Sequence, residues 1–155
     1  MESSKPLGYM LGRCLRVFKS QLVSEFKGKE IELTFEQFVI LHLLNSNCDL
    51  IQRDLAYHLQ KDKSIIVRQI NCLLDNQYVV RLTNKEDKRI KNLILTKKGF
   101  EILNQMKEIA SELSKKLLTG VSSNDFEIFH NVLLKIQETG GVEEDHLNCG
   151  LNQLK

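Results

Sequence analysis

The chain has 155 residues, 42% hydrophobic and 27% charged, enough for one domain that buries a core without disulfide or metal staples. A net charge of +2 excludes bulk attraction as an argument for nucleic acid, so any electrostatic case rests on where the charges lie. No apolar run reaches the length of a membrane span and Met1-Glu2-Ser3-Ser4 does not begin a signal peptide, so a cytoplasmic location and no membrane partner are expected.

Leu7, Leu11, Cys14, Leu15, Phe18 and Leu22 recur at helical spacing, which predicts an amphipathic helix through about residue 26, with Pro6 suited to its first turn. Gly28 and Lys29 break the pattern. In Leu33-Thr34-Phe35-Glu36-Gln37-Phe38, Thr34 can cap a second helix while Gln37 bonds back to it. Leu33 and Phe38 hold the staple positions, and Phe38, Leu41 and Leu44 point inward until the helix ends near 45–47. A short helix through Leu55, Ala56 and Leu59 comes next, then a tight connection at 60–62 and a helix from 63 to about 76.

The period then changes. Residues 78–83 and 90–95 are β-branched and apolar, and 84–89 is polar, which predicts a β-hairpin with a charged tip. Thr96 caps a long helix carrying Phe100, Leu103, Met106, Ala110, Leu113 and Leu117, which Gly120 stops. Ser122 and Asp125 start a final helix with Phe126, Phe129, Val132, Leu133 and Ile136, and Gly140 and Gly141 end it. Residues 142–155 read as a flexible tail.

Three helices followed by a two-stranded wing make a winged helix-turn-helix, so the expected class is mainly α with a small β-hairpin. The expected organisation is a single domain over 1–141 with a DNA-binding lobe at 33–99. Helices at 6–27 and 100–139 carry more apolar surface than one small lobe can cover, which predicts a homodimer through them. Cys14, Cys48, Cys72 and Cys149 are scattered and read as mainly structural thiols. His146 and Cys149 have metal-pair spacing without a second pair, and His42, His58 and His130 sit singly in helical patterns. No phosphate-cradling glycine loop, nucleophile elbow or carboxylate pair is present, so no catalytic residue, metal or cofactor is expected, and the chain does not read as an enzyme.

On the 63–76 helix, with Ile66 at zero and about 100° per residue, Ile70, Leu73 and Leu74 share the core face. Ser64, Arg68 and Asn71 lie at about 140–200°, a polar and cationic face opposite the core, with Ile65 and Val67 on its flanks. Such a face near the start of the second helix is what major-groove insertion requires. Arg68 can donate two bonds to a guanine edge, Ser64 can bond a base or phosphate, and an exposed Val67 can touch a thymine methyl. The rival reading is a winged-helix protein-interaction module without DNA binding. The modest net charge favours it; the basic wing and Arg68 oppose it.

From Leu33 to Gly99 the chain resembles the MarR family of bacterial transcription regulators. The matching pieces are Leu33-Thr34-x-x-Gln37, Leu55-Ala56 with Leu59, Asp62-Lys63-Ser64, Arg81, Asp87-x-Arg89 and Leu95-Thr96-x-x-Gly99. The chain departs from the pattern at Ile51 and Val67, where threonine is frequent, and at Gln77, where glycine is usual and Asn76 is expected to take the left-handed turn instead. The resemblance implies a homodimer on a pseudo-palindromic operator of double-stranded DNA, regulated by a small phenolic or lipophilic effector or by cysteine oxidation, and a repressor is the expected role. It also implies that Arg89 enters the minor groove and that Asp87 holds the wing by pairing with an arginine, Arg89 or Arg81. The expected DNA-contacting set is Arg53, Lys63, Ser64, Val67, Arg68, Asn71, Lys88, Arg89 and Lys91, with Asp87 and Arg81 as wing support.

Overall fold

The computed structural model describes residues 6–46 and 50–141. They run in the order α1 (Leu7–Gly28), α2 (Phe35–Ser46), α3 (Gln52–Leu59), α4 (Lys63–Asp75), β1 (Val79–Thr83), β2 (Lys91–Leu95), α5 (Lys97–Leu117) and α6 (Ser123–Thr139). The expected tail at 142–155, with His146 and Cys149, and Cys48 lie outside the described residues.

Local chemistry starts most of these helices where the sequence places them. The Gln37 N–H donates to Thr34 Oγ1 at 3.2 Å and the Thr34 N–H donates to Gln37 Oε1 at 2.8 Å, so the capping box of α2 is closed both ways. Thr96 Oγ1 accepts the Gly99 N–H at the head of α5, and Ser122 Oγ accepts the Asp125 N–H at the head of α6. Ile51 has no side-chain acceptor to offer α3. There Asp54 Oδ2 reaches back to the Ile51 N–H at 3.0 Å and closes half of the box.

The helices end close to the expected residues, but the turns that follow them are not made as expected. Glu30, Gln60 and Gln77 all have positive φ, at 60°, 50° and 61°. Around each, the chain folds back with the paired bonds of a Schellman motif: Gln77 N–H to Leu74 C=O and Tyr78 N–H to Leu73 C=O, both at 2.9 Å. Asn76 keeps a helical φ of −83° and donates its side-chain amide to the Cys72 carbonyl, so the left-handed residue after α4 is Gln77 and not Asn76. Three non-glycine residues therefore sit in a region where a Cβ is disfavoured by about 1–2 kcal/mol. Gln77→Gly should raise the unfolding free energy by about 1 kcal/mol, checked by urea denaturation; a lower value would mean that the Gln77 side chain holds the turn.

One core joins the elements. Leu22 and Phe26 of α1, Ile40 and Leu41 of α2, Leu55 of α3, Ile66, Ile70 and Leu73 of α4, Val79 and Leu93 of the hairpin, and Leu103 and Met106 of α5 are all buried. Leu44 is buried and Phe38 partly so, as the inward face of α2 requires. Lys19 of α1 donates to Glu36 of α2 at 2.6 Å. Burial alone would raise the Glu36 carboxyl, but the Lys19 hydrogen bond and charge outweigh it and hold the group below its usual value. The hairpin pairs Val79 with Leu95 through to Thr83 with Lys91, antiparallel. Tyr78, expected in the first strand, instead closes the α4 cap, and Ile90 closes the hairpin tip.

Several apolar residues of the outer helices, whose surface is more than one lobe can cover, are exposed in this chain. Phe100 and Leu117 of α5 are exposed, and α6 buries none of its residues. Phe126, Ile128, Phe129 and Val132 are each between 43% and 55% exposed. Leu7, Tyr9, Met10 and Leu15 of α1 are exposed too, and Cys14 with them.

Candidate nucleic-acid interface

The α4 helix divides as its spacing demands. Ile66, Ile70 and Leu73 are buried and Leu74 is packed against the core, while Lys63, Ser64, Arg68 and Asn71 are exposed. Val67 is partly buried, so the apolar side chain that this helix offers to solvent is Ile65, at 38% exposure. Arg53 is exposed in the first turn of α3. Among the described residues no ion pair engages Arg53, Lys63, Arg68 or Arg89, so binding an anion there breaks no internal bridge.

The wing grows directly out of the Gln77 turn and is fixed to the lobe at several points. The Leu93 N–H donates to the Leu50 carbonyl at 3.2 Å, tying β2 to the segment just ahead of α3. Thr96 Oγ1 donates to the Gln77 carbonyl at 2.7 Å. Lys98, one of the six basic residues in the run from Lys85 to Gly99, donates to the Asn76 carbonyl at 2.8 Å and lies 4.7 Å from the centre of the Tyr78 ring. That lysine clamps the end of α4 and does not belong to the tip. Proximity in sequence gave no sign of this, because its partners stand 20 and 22 residues away.

The tip is internally bonded. Asn84 Oδ1 accepts the N–H groups of Glu86 and Asp87, at 2.8 and 3.2 Å, in an Asx turn. Asp87 Oδ1 accepts the Arg89 backbone N–H at 2.9 Å, the Ile90 N–H donates to the Asp87 carbonyl, and the Asn84 N–H donates to the Ile90 carbonyl. The expected pairing of Asp87 with a guanidinium is not formed among the described residues. Asp87 holds Arg89 by its main chain instead, because a carboxylate one peptide away from an N–H reaches it with no long side chain to order. Arg81 is exposed on β1, in register with the buried Leu93. Lys88 and Arg89 are exposed, and Lys91 donates to Thr83 Oγ1 across the strands.

The arrangement has donors and cations, and nothing that does bond-making chemistry. Among the described residues no group of His, Cys, Asp and Glu is placed to hold a metal ion, and no helix is long and apolar enough to cross a membrane.

Residues 33–91 match the model of the MarR family. A MarR transcriptional regulator from Methanosarcina mazei Go1 is 26% identical, with a TM-score of 0.77 over 86% of this chain and 95% of that one. The apo form of wild-type MarR from E. coli is 22% identical, with a TM-score of 0.75 over 85% of this chain and 97% of the other. A MarR-family transcriptional regulator from Rhodococcus sp. RHA1 is 19% identical, with a TM-score of 0.75 over 88% of this chain and 96% of its own. The last two likenesses are likenesses of fold.

Proposed function

We propose the following for a chain that belongs to the MarR family and is a DNA-binding transcriptional regulator and not an enzyme: it is a repressor that binds a pseudo-palindromic operator as a homodimer. The observation that carries the proposal is the exposed, unpaired face of α4, with Lys63, Ser64, Arg68 and Asn71 around it, in the same lobe as a rigid basic wing tip. Arg68 reads a guanine edge, while Ser64 and Asn71 make neutral contacts beside it. Arg53, Lys63, Lys88 and Lys91 contact phosphates, and Arg89 enters the minor groove. Val67, being partly buried, contributes by packing α4 more than by touching DNA.

The 33–99 lobe is the reader and the helices at 6–27 and 100–139 hold two copies together. An amphipathic helix that buries nothing in its own chain needs a partner surface, and α6 with the exposed first half of α1 supplies a self-complementary one. A twofold pair places two reading helices about one DNA turn apart. A small phenolic or lipophilic effector that settles between the dimer helices and the lobe changes that separation and releases the operator.

Selection of genomic DNA fragments by the purified protein tests the reading. The protein should sediment as a dimer at micromolar concentration and enrich a pseudo-palindrome whose affinity falls steeply with salt. Arg68→Ala should cost about 1–3 kcal/mol per half-site and relax preference at one base pair in each. A monomer, or salt-independent recovery of unrelated fragments, would instead support a protein-interaction module.

A further inference from the structure

The α4 surface carries one residue that its polar face does not explain. Ile65 sits in the first turn of the helix, 38% exposed, while Ile66, Ile70 and Leu73 already fill the core side. Its exposed neighbours on the helix, Lys63, Ser64, Arg68 and Asn71, are all polar. A β-branched chain is stiff about χ1, so it can be buried against a partner at little further entropic cost. It has no donor or acceptor to satisfy, and it lies about 60° round the helix from Arg68.

We propose that Ile65 is a specificity-determining residue that packs on a thymine methyl in each half-site. This rests on the DNA-binding reading above and adds to it a base identity and the atom that is read. The thymine C5-methyl is the apolar feature of the major-groove edges, and only an apolar side chain gains by covering it. Ile65 and Arg68 are three residues apart, so their Cβ atoms are about 5–6 Å from one another on the helix surface. Base pairs rise about 3.4 Å each, which puts the thymine one or two steps from the guanine that Arg68 reads. Val67 cannot take this role without leaving the packing that half-covers it.

The test uses the operator recovered by selection, with each thymine replaced in turn by uracil, which removes the methyl and nothing else. For the wild-type protein, one thymine per half-site should respond, with affinity falling about fourfold for each methyl lost. Replacing it in both half-sites should cost about fifteenfold. Ile65→Ala should bind the natural operator about fifteenfold more weakly and be indifferent to uracil at that position, while Arg68→Ala keeps the uracil response. Thermal melting of Ile65→Ala should fall by no more than a few degrees, since the side chain is 38% exposed and alanine is the better helix former. An Ile65→Ala protein that binds the natural operator as tightly as wild type, or that still loses affinity with uracil at the same thymine, overturns the assignment and leaves the DNA-binding reading standing. Absence of any selectable operator overturns both.

Discussion

Gly99→Ala should destabilise the protein by about 3 kcal/mol, the upper part of the range for forcing an extra methyl group into a packed site. A Cβ at Gly99 would lie 1.9 Å from the Tyr78 carbonyl oxygen, 2.9 Å from its carbon and 3.2 Å from Leu95 Cδ2. The obstacle is backbone, so no rotamer change relieves it. The Tyr78 carbonyl is also held where it is, since it accepts the Thr96 N–H at 3.1 Å, and Thr96 in turn caps Gly99. Moving either side opens the joint between the end of α4 and the start of α5. A fall in Tm of about 10 °C is expected at this chain length. Gly28→Ala is the control, because its Cβ meets nothing within 4 Å and alanine is the better helix former, so its Tm should hold or rise. Equal behaviour of the two variants would show that α5 shifts freely on the wing.

Arg89→Ala should weaken operator binding by about 1–3 kcal/mol per half-site while leaving melting and dimerisation unchanged, because its guanidinium carries no internal contact among the described residues. Asp87→Ala is the more discriminating variant. Coulombic repulsion alone says that removing a carboxylate beside DNA tightens the complex. The geometry says the reverse: Asp87 Oδ1 holds the Arg89 N–H at 2.9 Å, and Asn84 holds the Asp87 N–H in turn. Without that acceptor the tip gains conformations that must be lost again on binding, so affinity should fall by about 1 kcal/mol per half-site. A titration of both variants at one fixed salt concentration decides it. A tighter complex for Asp87→Ala would return that residue to a purely electrostatic role.

What was legible in the sequence was local. The caps at Thr34, Thr96 and Ser122 are satisfied by residues three positions on, so residue type and spacing suffice. The left-handed residues Glu30, Gln60 and Gln77 were hidden because the glycine that normally signals such a turn is absent, and each turn is held by backbone bonds that any residue can make. The polar face of α4 followed from its period, but the choice between Ile65 and Val67 did not. Both flank that face, and which one is covered depends on neighbouring elements that ideal angles omit. Asp87 was legible as a wing residue and illegible in its partner, since a main-chain N–H leaves no trace in composition. The apolar spacing of α6 reads the same whether or not the helix is buried in its own chain, and only the burial of the folded chain separates the two.

The joint at Gly99 has a mechanical meaning. Thr96 to Gln77, Lys98 to Asn76 and Gly99 against Tyr78 weld the first turn of α5 to the end of the reading helix. From there α5 runs to Leu117, a rod about 30 Å long. A weld at one end and a long rod make a lever. A tilt of about 5° at the Leu117 end carries the reading head through about 2–3 Å, most of one base-pair step. Wing and α4 would travel together, so in the proposed dimer a tilt at the far end of the rod would change the gauge between two intact lobes without loosening either one.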